Sequence, residues 1–473
     1  DTRLLMNAID SLSPYDNLLL NRLENELEYV VQSLKPTQRK PIKQTDAFER
    51  LAIYKIYKEN KGVDPATLTA NESARDFPGL APRRATRVSN KAIAVSGATP
   101  GWISTGLYAN AGDRIQVKIP AGDTKRGLRI RIGAHQDKLW NVNDWKRHPD
   151  ITVEYPIDKA NLDIRTEFGG PIYIIAPNTG LKTSVPVTID GGVYAPHFVL
   201  GKTRPEDWKQ DIRNRPAPWA ELVGKKIILT VPSEVVRELD DPQELMLHWD
   251  RVLDLYSELT MKPLPKRPQR MVCDVQISAG YMHSGYPIMM HMDQPENLVS
   301  THLEDHKGKR VFWGFWHELG HNFSHPDWTF DGTGEVTCNI FSLYVLEKMY
   351  GLPIEQGSNY DIAKINEYMD GGSDFAKWKA EPFLALQMYV QIVRAFGWDT
   401  IKSVFAKYNE LKPDQRPKND AQKRDLWFLM LSRETGKDLG PFFEEWGVPV
   451  SETAKKLVQS NPSWMPTDLQ DRR

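Results

Sequence analysis

Cysteine is nearly absent: Cys273 and Cys338 are the only two in 473 residues. Two thiols cannot make a disulfide framework, and their spacing does not say whether they pair. No run of about 18 apolar residues occurs, so no segment reads as a membrane-spanning helix. Neither sign of charge is in excess. Lys plus Arg is 61 and Asp plus Glu is 62, a net charge of -1 that argues against nucleic acid or an anionic membrane as partner. There is no internal repeat and no low-complexity tract. The chain begins at Asp1 rather than Met and shows no signal-type apolar segment, which suits a mature chain.

What is present is the composition of a folded protein, with 40% hydrophobic and 26% charged residues and length enough for two or three domains. The 14 tryptophans and 17 tyrosines supply flat apolar faces that serve a core or stack on sugar rings.

The patterning divides the chain in three. Residues 1–90 read as a helical N-terminal segment and linker. One amphipathic helix covers about residues 15–34, and a second follows Thr45-Asp46. Pro65, Pro78 and Pro82 mark the linker. Residues 91–235 change to a period of two, as in Ile115, Val117, Ile119 and Leu128, Ile130, Ile132. Short strands between Gly, Asn, Asp and Pro turns predict a β-sandwich. From 236 to 473 helical periods return, over Gln243–Leu259, Glu381–Phe396 and Gln422–Ser432, interrupted by a strand and a loop rich in Tyr, Met and His over 271–292. The expected fold is α+β and multidomain, with the last part mainly helical.

The chemistry sits in Trp316-His-Glu-Leu-Gly-His-Asn-Phe323. On a helix His317 and His321 lie one turn apart on one face, where both imidazoles can hold one metal ion. Glu318 projects beside that face and can act as general base on the attacking water. Phe312, Phe315, Trp316, Leu319 and Phe323 form an apolar stripe opposite the histidines, and Gly314 leaves room for a substrate. A chance H-E-x-x-H on a core helix would not segregate its histidines from its apolar stripe so cleanly.

A catalytic zinc needs a third protein ligand and an open position. The candidates are His325, Asp327, Asp331 and Glu335. One class of zinc protease places Gly three residues and His six residues after the second histidine. Ser324 and Asp327 stand there instead. Glu335 is the better candidate, because it opens an apolar helix through which Glu335, Asn339 and Ser342 run as a polar line. Such a line needs partners, and a metal with its supporting residues would supply them. Without a metal, Glu335 reads as an acid at a helix N-terminus.

The sequence around His317 and Gly332-Thr-Gly-Glu-Val-Thr-Cys-Asn-Ile-Phe-Ser-Leu-Tyr344 resembles the M60-like, enhancin-related zinc metallopeptidases. So do Asp274–Ile288, Phe168-Gly-Gly-Pro-Ile-Tyr173 and Pro218-Trp-Ala-Glu-Leu222. The resemblance runs from about residue 95 to the end. It implies a gluzincin-type zinc site with Glu335 on the second helix as third ligand. It also implies cleavage of O-glycosylated proteins such as mucins, beside a glycosylated Ser or Thr.

The expectation is a secreted, periplasmic or cell-surface zinc endopeptidase, monomeric, holding Zn2+ on His317, His321 and Glu335 with Glu318 as base. The alternatives are a non-catalytic glycan-binding protein on the same scaffold and a general zinc protease without glycan preference. Further residues are candidates for substrate contact. His283 or Tyr286 can donate a hydrogen bond to the oxyanion. Asn322 follows His321 directly. Trp328 is a sugar platform or a core plug. Arg394 can fork onto a carbonyl or sugar hydroxyls, or is simply solvated. Gly169-Gly170 reads as a turn from its residues, and the resemblance brings it to the border of the cleft. Asp327 can steady His317 or His321, or cap a turn.

Overall fold

The computed structural model describes residues 34–96 and 101–472. The helix expected over 15–34 therefore lies almost wholly outside the described residues. The chain forms two compact units, one of residues 1–247 and 266–300, the other of residues 248–265 and 301–473.

The first unit is built on three sheets. One has the strand order Lys91–Val95, Val185–Asp190, Ile115–Lys118, Asn161–Ile164, all antiparallel. A second has the order Val153–Pro156, Arg129–Ile132, Gly169–Ala176, Gly101–Asn110, Val193–Tyr194. The alternation seen in the sequence puts Ile115 and Val117 inside and leaves Gln116 and Lys118 half-buried. The inward residues of both sheets, among them Val117, Ile130, Ile172, Ile174, Val187 and Ile189, form one core. That is the sandwich the period of two predicts.

The third sheet extends beyond residue 235. Its order is His197–Val199, Trp219–Val223, Ile227–Pro232, Gln269–Asp274, Ile288–His291, Met282–His283. The strand and loop expected over 271–292 thus pair with strands of 197–232. Two central strands, Ile227–Pro232 and Gln269–Asp274, run parallel and are buried at every residue. Strands covered on both faces read as continuous apolar runs rather than as alternations. Two buried ion pairs tie this unit together: Arg147 donates to Asp274 from Nη2 at 2.7 Å, and Arg270 pairs with Glu221, which also accepts from Tyr173 Oη.

Residues 61–90 are irregular but packed, not a free linker. Phe77 is buried against the rings of His135 and Trp219, and Tyr108 Oη donates to the Gly79 carbonyl. Proline stops regular structure without stopping burial.

The second unit is helical. The helix Gly334–Tyr350 runs through its core, with every residue from Val336 to Leu346 buried. It packs against Trp313–Phe323 and Pro382–Phe396. Tyr256 stacks on Phe341 at 4.8 Å and donates its hydroxyl to the Trp316 carbonyl. Left-handed Gly351 (φ 66°) ends the central helix.

Candidate active site

The helix Trp313–Phe323 buries Phe315, Trp316 and Leu319 and turns His317 and His321 to the other side, as the apolar stripe requires. Their rings are 4.6 Å apart between centroids, and the two Nε2 atoms are 3.0 Å apart. Glu335, at the start of the central helix, brings Oε2 to 2.9 Å from His317 Nε2 and 3.4 Å from His321 Nε2. Its side chain is 60% exposed, so the cluster is open on that side.

Asn339 sets the orientation of His317. Its Nδ2 donates to the Glu335 carbonyl at 2.8 Å, which turns Oδ1 toward His317 Nδ1, also at 2.8 Å. Nδ1 of His317 is thus taken by Asn339, and its Nε2 faces Glu335 and His321. His321 is held below the ordinary histidine range by burial first and by His317 second, against the pull of Glu335. Burial thus favours the neutral, ligating form of His321.

His317 Nε2, His321 Nε2 and Glu335 Oε2 lie within 3.4 Å of one another, close enough to share one cation. A tetrahedral ion with bonds of about 2.0–2.1 Å separates its ligand atoms by about 3.3–3.4 Å. The three donors therefore fit a metal ion. Cys338 joins the same cluster, with Sγ 3.4 Å from His317 Nδ1. Burial, then Glu335 and Glu318, push its thiol far up. Glu318 itself is 8% exposed.

The other downstream candidates go elsewhere. Asp327 pairs with Arg416, and Asp331 with Lys379 at 2.6 Å. Asp327 accordingly supports neither His317 nor His321. His325 hydrogen-bonds the Asp327 amide at 3.2 Å.

The candidate substrate residues are divided between the two units. Gly169 and Gly170 open a strand rather than a turn, with φ of 79° and 136°. A Cβ on Gly169 would run into the Ala109 carbonyl, and one on Gly170 would lie 2.7 Å from the Gly133 Cα. Their glycine character serves close backbone packing inside the sheet. His283 meets Asp137 Oδ2 through Nε2 at 2.7 Å and the Ser284 carbonyl through Nδ1 at 3.0 Å. Tyr286 lies under the Arg267 guanidinium at 3.8 Å and beside Trp102. All four belong to the first unit.

In the second unit, Asn322 is exposed at a small cavity of about 150 Å³ beside the end of the His317 helix. Trp328 is 2% exposed and stacks on Phe405 at 4.3 Å, so it plugs the core and touches the cavity only at its edge. Arg394 is tied to Glu355 at 3.0 Å and Asp468 at 2.7 Å, so its fork is already occupied.

Sequence reasoning missed Gly320. A Cβ there would meet the backbone of Cys338, coming within 2.8 Å of its Cα. A small residue inside a helix that is otherwise bulky and apolar was the available signal.

Comparison with known proteins places the chain in a family. A family model described as "Peptidase M60, enhancin and enhancin-like" matches residues 191–447, and one for the N-terminal domain of M60-like peptidases matches residues 80–190. Human TRPM8 channel-associated factor 2 is 36% identical over 389 residues, covering 80% of this chain and 42% of that protein. The chain thus spans about two fifths of the length of the curated relatives it matches. A conserved Bacillus anthracis protein of unknown function superposes with a TM-score of 0.66 at 21% identity, over 80% of each chain. IMPa from Pseudomonas aeruginosa, solved with an O-glycopeptide, superposes with a TM-score of 0.62 at 16% identity, over 94% of this chain and 63% of that one. The likeness to these two structures is one of fold.

Proposed function

Because the chain belongs to the M60 family of enhancin and enhancin-like peptidases, we propose that it is a zinc endopeptidase acting on mucin-type O-glycoproteins, cutting beside a glycosylated Ser or Thr. The observation that carries the reading is the convergence of His317 Nε2, His321 Nε2 and Glu335 Oε2, with Glu318 on the same helix. Two imidazoles and one carboxylate are the donor set of a catalytic zinc with an open fourth position. Zinc, when bound there, supplies a Lewis acid that polarises the scissile carbonyl and acidifies a water toward a pKa of about 7.

The chain's own groups do the rest. Asn339 keeps the Nε2 of His317 aimed at the cluster. Glu318 takes a proton from the attacking water and gives it to the leaving amine. The exposed side of Glu335 leaves space for a peptide to reach the cluster. The O-glycopeptide bound in the IMPa structure supports the substrate class. Mucin-type glycoproteins are extracellular, so a secreted or cell-surface location goes with this reading.

A second reading has its own support. The curated relatives are named for association with the TRPM8 channel, which favours a non-catalytic binding protein on the same scaffold. An intact Glu318 speaks for catalysis, since binding alone does not need a base.

Mass spectrometry of a mucin glycopeptide digest tests both. The expected products carry a glycosylated Ser or Thr next to the cut, and the same peptides without glycan survive. Glu318→Ala should keep its metal and lose turnover by roughly 10²- to 10⁴-fold or more. A zinc-loaded wild-type chain that cuts nothing supports the binding reading, and equal cutting of bare peptides removes the glycan preference.

A further inference from the structure

Cys338 stands one residue before Asn339 on the helix that carries Glu335, and it meets His317 in a different way. Its Sγ lies 3.4 Å from His317 Nδ1 and 3.7 Å from Nε2. An atom in line with the Nε2 lone pair would be much farther from Nδ1 than from Nε2, yet Sγ is the nearer to Nδ1. A point in the ring plane at those two distances would overlap the ring carbons. The sulfur therefore lies over the face of the imidazole. Cys338 is 0% exposed, and its thiol is in no disulfide.

Two consecutive residues of one helix thus hold one ring in two ways. Asn339 fixes its edge through the 2.8 Å hydrogen bond to Nδ1. That bond alone leaves the ring free to tilt about it, and an atom packed on the face removes the tilt. Cysteine suits the place. Gly320 lies directly on the Cys338 backbone, so the two helices leave space for a small side chain only. A cysteine side chain is small, polarisable and nearly apolar, so it packs on an aromatic ring without needing a strong hydrogen-bond partner of its own.

Given a metal on His317, His321 and Glu335, as proposed above, we infer that Cys338 is a positioning residue for that metal and not one of its ligands. It sets the tilt of His317 and so the direction in which Nε2 meets the ion. Tilt matters because a metal site works only while the packing around its ligands holds them to within about 0.5 Å.

Cobalt in place of zinc gives a coloured site, so the test is the absorption spectrum and chelator-competition affinity of the full cobalt-loaded chain. Wild type should lack the intense near-ultraviolet band of a cobalt–thiolate bond. Cys338→Ala should shift the visible cobalt bands and weaken affinity about 10- to 100-fold, the range for a lost supporting contact. Cys338→Ser puts an atom back over the ring and should recover most of that loss. Val345→Ala opens a gap at another buried residue of the same helix. It should lower the melting temperature and leave spectrum and affinity unchanged. A thiolate band in wild type would overturn the inference, because Cys338 would then be a ligand. So would a Cys338→Ala chain with wild-type spectrum and affinity, or an equal loss of affinity in Val345→Ala. Should Cys338→Ala fail to fold, Cys338→Thr presses an added methyl on the ring, and unchanged cobalt bands there would overturn it too. A wild-type chain that takes up neither cobalt nor zinc overturns the metal site and this role together, whereas every other outcome bears on Cys338 alone.

Discussion

Gly320 on the His317 helix lies directly on the backbone of Cys338 on the Glu335 helix, with no room for a methyl group between them. This contact lets the two helices approach until three ligand atoms meet. A Cβ at Gly320 would have to displace backbone rather than a flexible side chain. Gly320→Ala should therefore cost about 1–3 kcal/mol in stability, despite alanine's better helix propensity. It should also weaken metal binding by spreading the helices. Thermal melting and chelator competition on the purified variant read both effects, and an Ala variant as stable and as tightly metallated as wild type would show that the contact is not limiting.

The two carboxylates that compete for the third ligand position should separate cleanly. Glu335→Ala removes an oxygen 2.9 Å from His317 Nε2 and should sharply weaken metal affinity. Asp327 faces Arg416 instead, so Asp327→Ala should leave affinity within about tenfold of wild type, the lower edge of what losing an outer partner costs. Its cost belongs to stability, because Arg416 loses its carboxylate. Elemental analysis after competitive chelator titration of both variants decides between them.

Asn339 should act on the metal without touching it. Asn339→Leu removes the hydrogen-bond partner of His317 Nδ1, with an expected loss of about 10- to 100-fold in metal affinity. Asn339→Asp keeps an acceptor at the same place and should recover most of that loss. If Leu and Asp behave alike, the hydrogen bond does not orient the ring.

Glu167 makes a prediction about pH. Burial raises its carboxyl from 4.5 to about 7, against the hydrogen bond from Asn60. Between those values the folded chain holds a proton that the unfolded chain has released. The stability linked to Glu167 is thus complete below about pH 4.5 and is lost as pH rises through about 7. Glu167→Gln keeps an acceptor for Asn60 and cannot ionise. It should melt about 2–4 °C above wild type at pH 8 for each kcal/mol relieved, and close to wild type at pH 5. The same difference at both pH values would show an ordinary carboxylate.

Much of the fold was legible because it is locally encoded. The period-two stretches at Ile115–Ile119 and Leu128–Ile132 became sandwich strands facing one core. The helices expected over 243–259, 381–396 and 422–432 appear as Pro242–Thr260, Pro382–Phe396 and Asp420–Thr435. A strand within 271–292 was legible, but not its pairing with Ile227–Pro232 in a third sheet. The central strand Gln269–Asp274 is buried at every residue although Gln269, Arg270 and Asp274 are polar, and pairing between distant strands leaves no local pattern. Gly169-Gly170 read as a turn for a related reason. Positive φ favours glycine in turns, but here it serves strands whose backbones touch.

The sequence by itself determined the chemistry of this protein. His317, Glu318 and His321 occupy a helix whose geometry, one turn between the histidines, is set by local hydrogen bonds, so their cooperation follows from spacing alone. The polar line from Glu335 to Asn339 is local in the same way. Tertiary structure decided everything that depends on one element meeting another. It brought Glu335 rather than Asp327 to the histidines, buried Trp328 against Phe405, occupied Arg394 with Glu355 and Asp468, and assembled a cleft from residues between Tyr57 and Phe168. Contacts of that kind are chosen by close packing between distant segments, where a single methyl at Gly320 would change the outcome, and no local pattern records them.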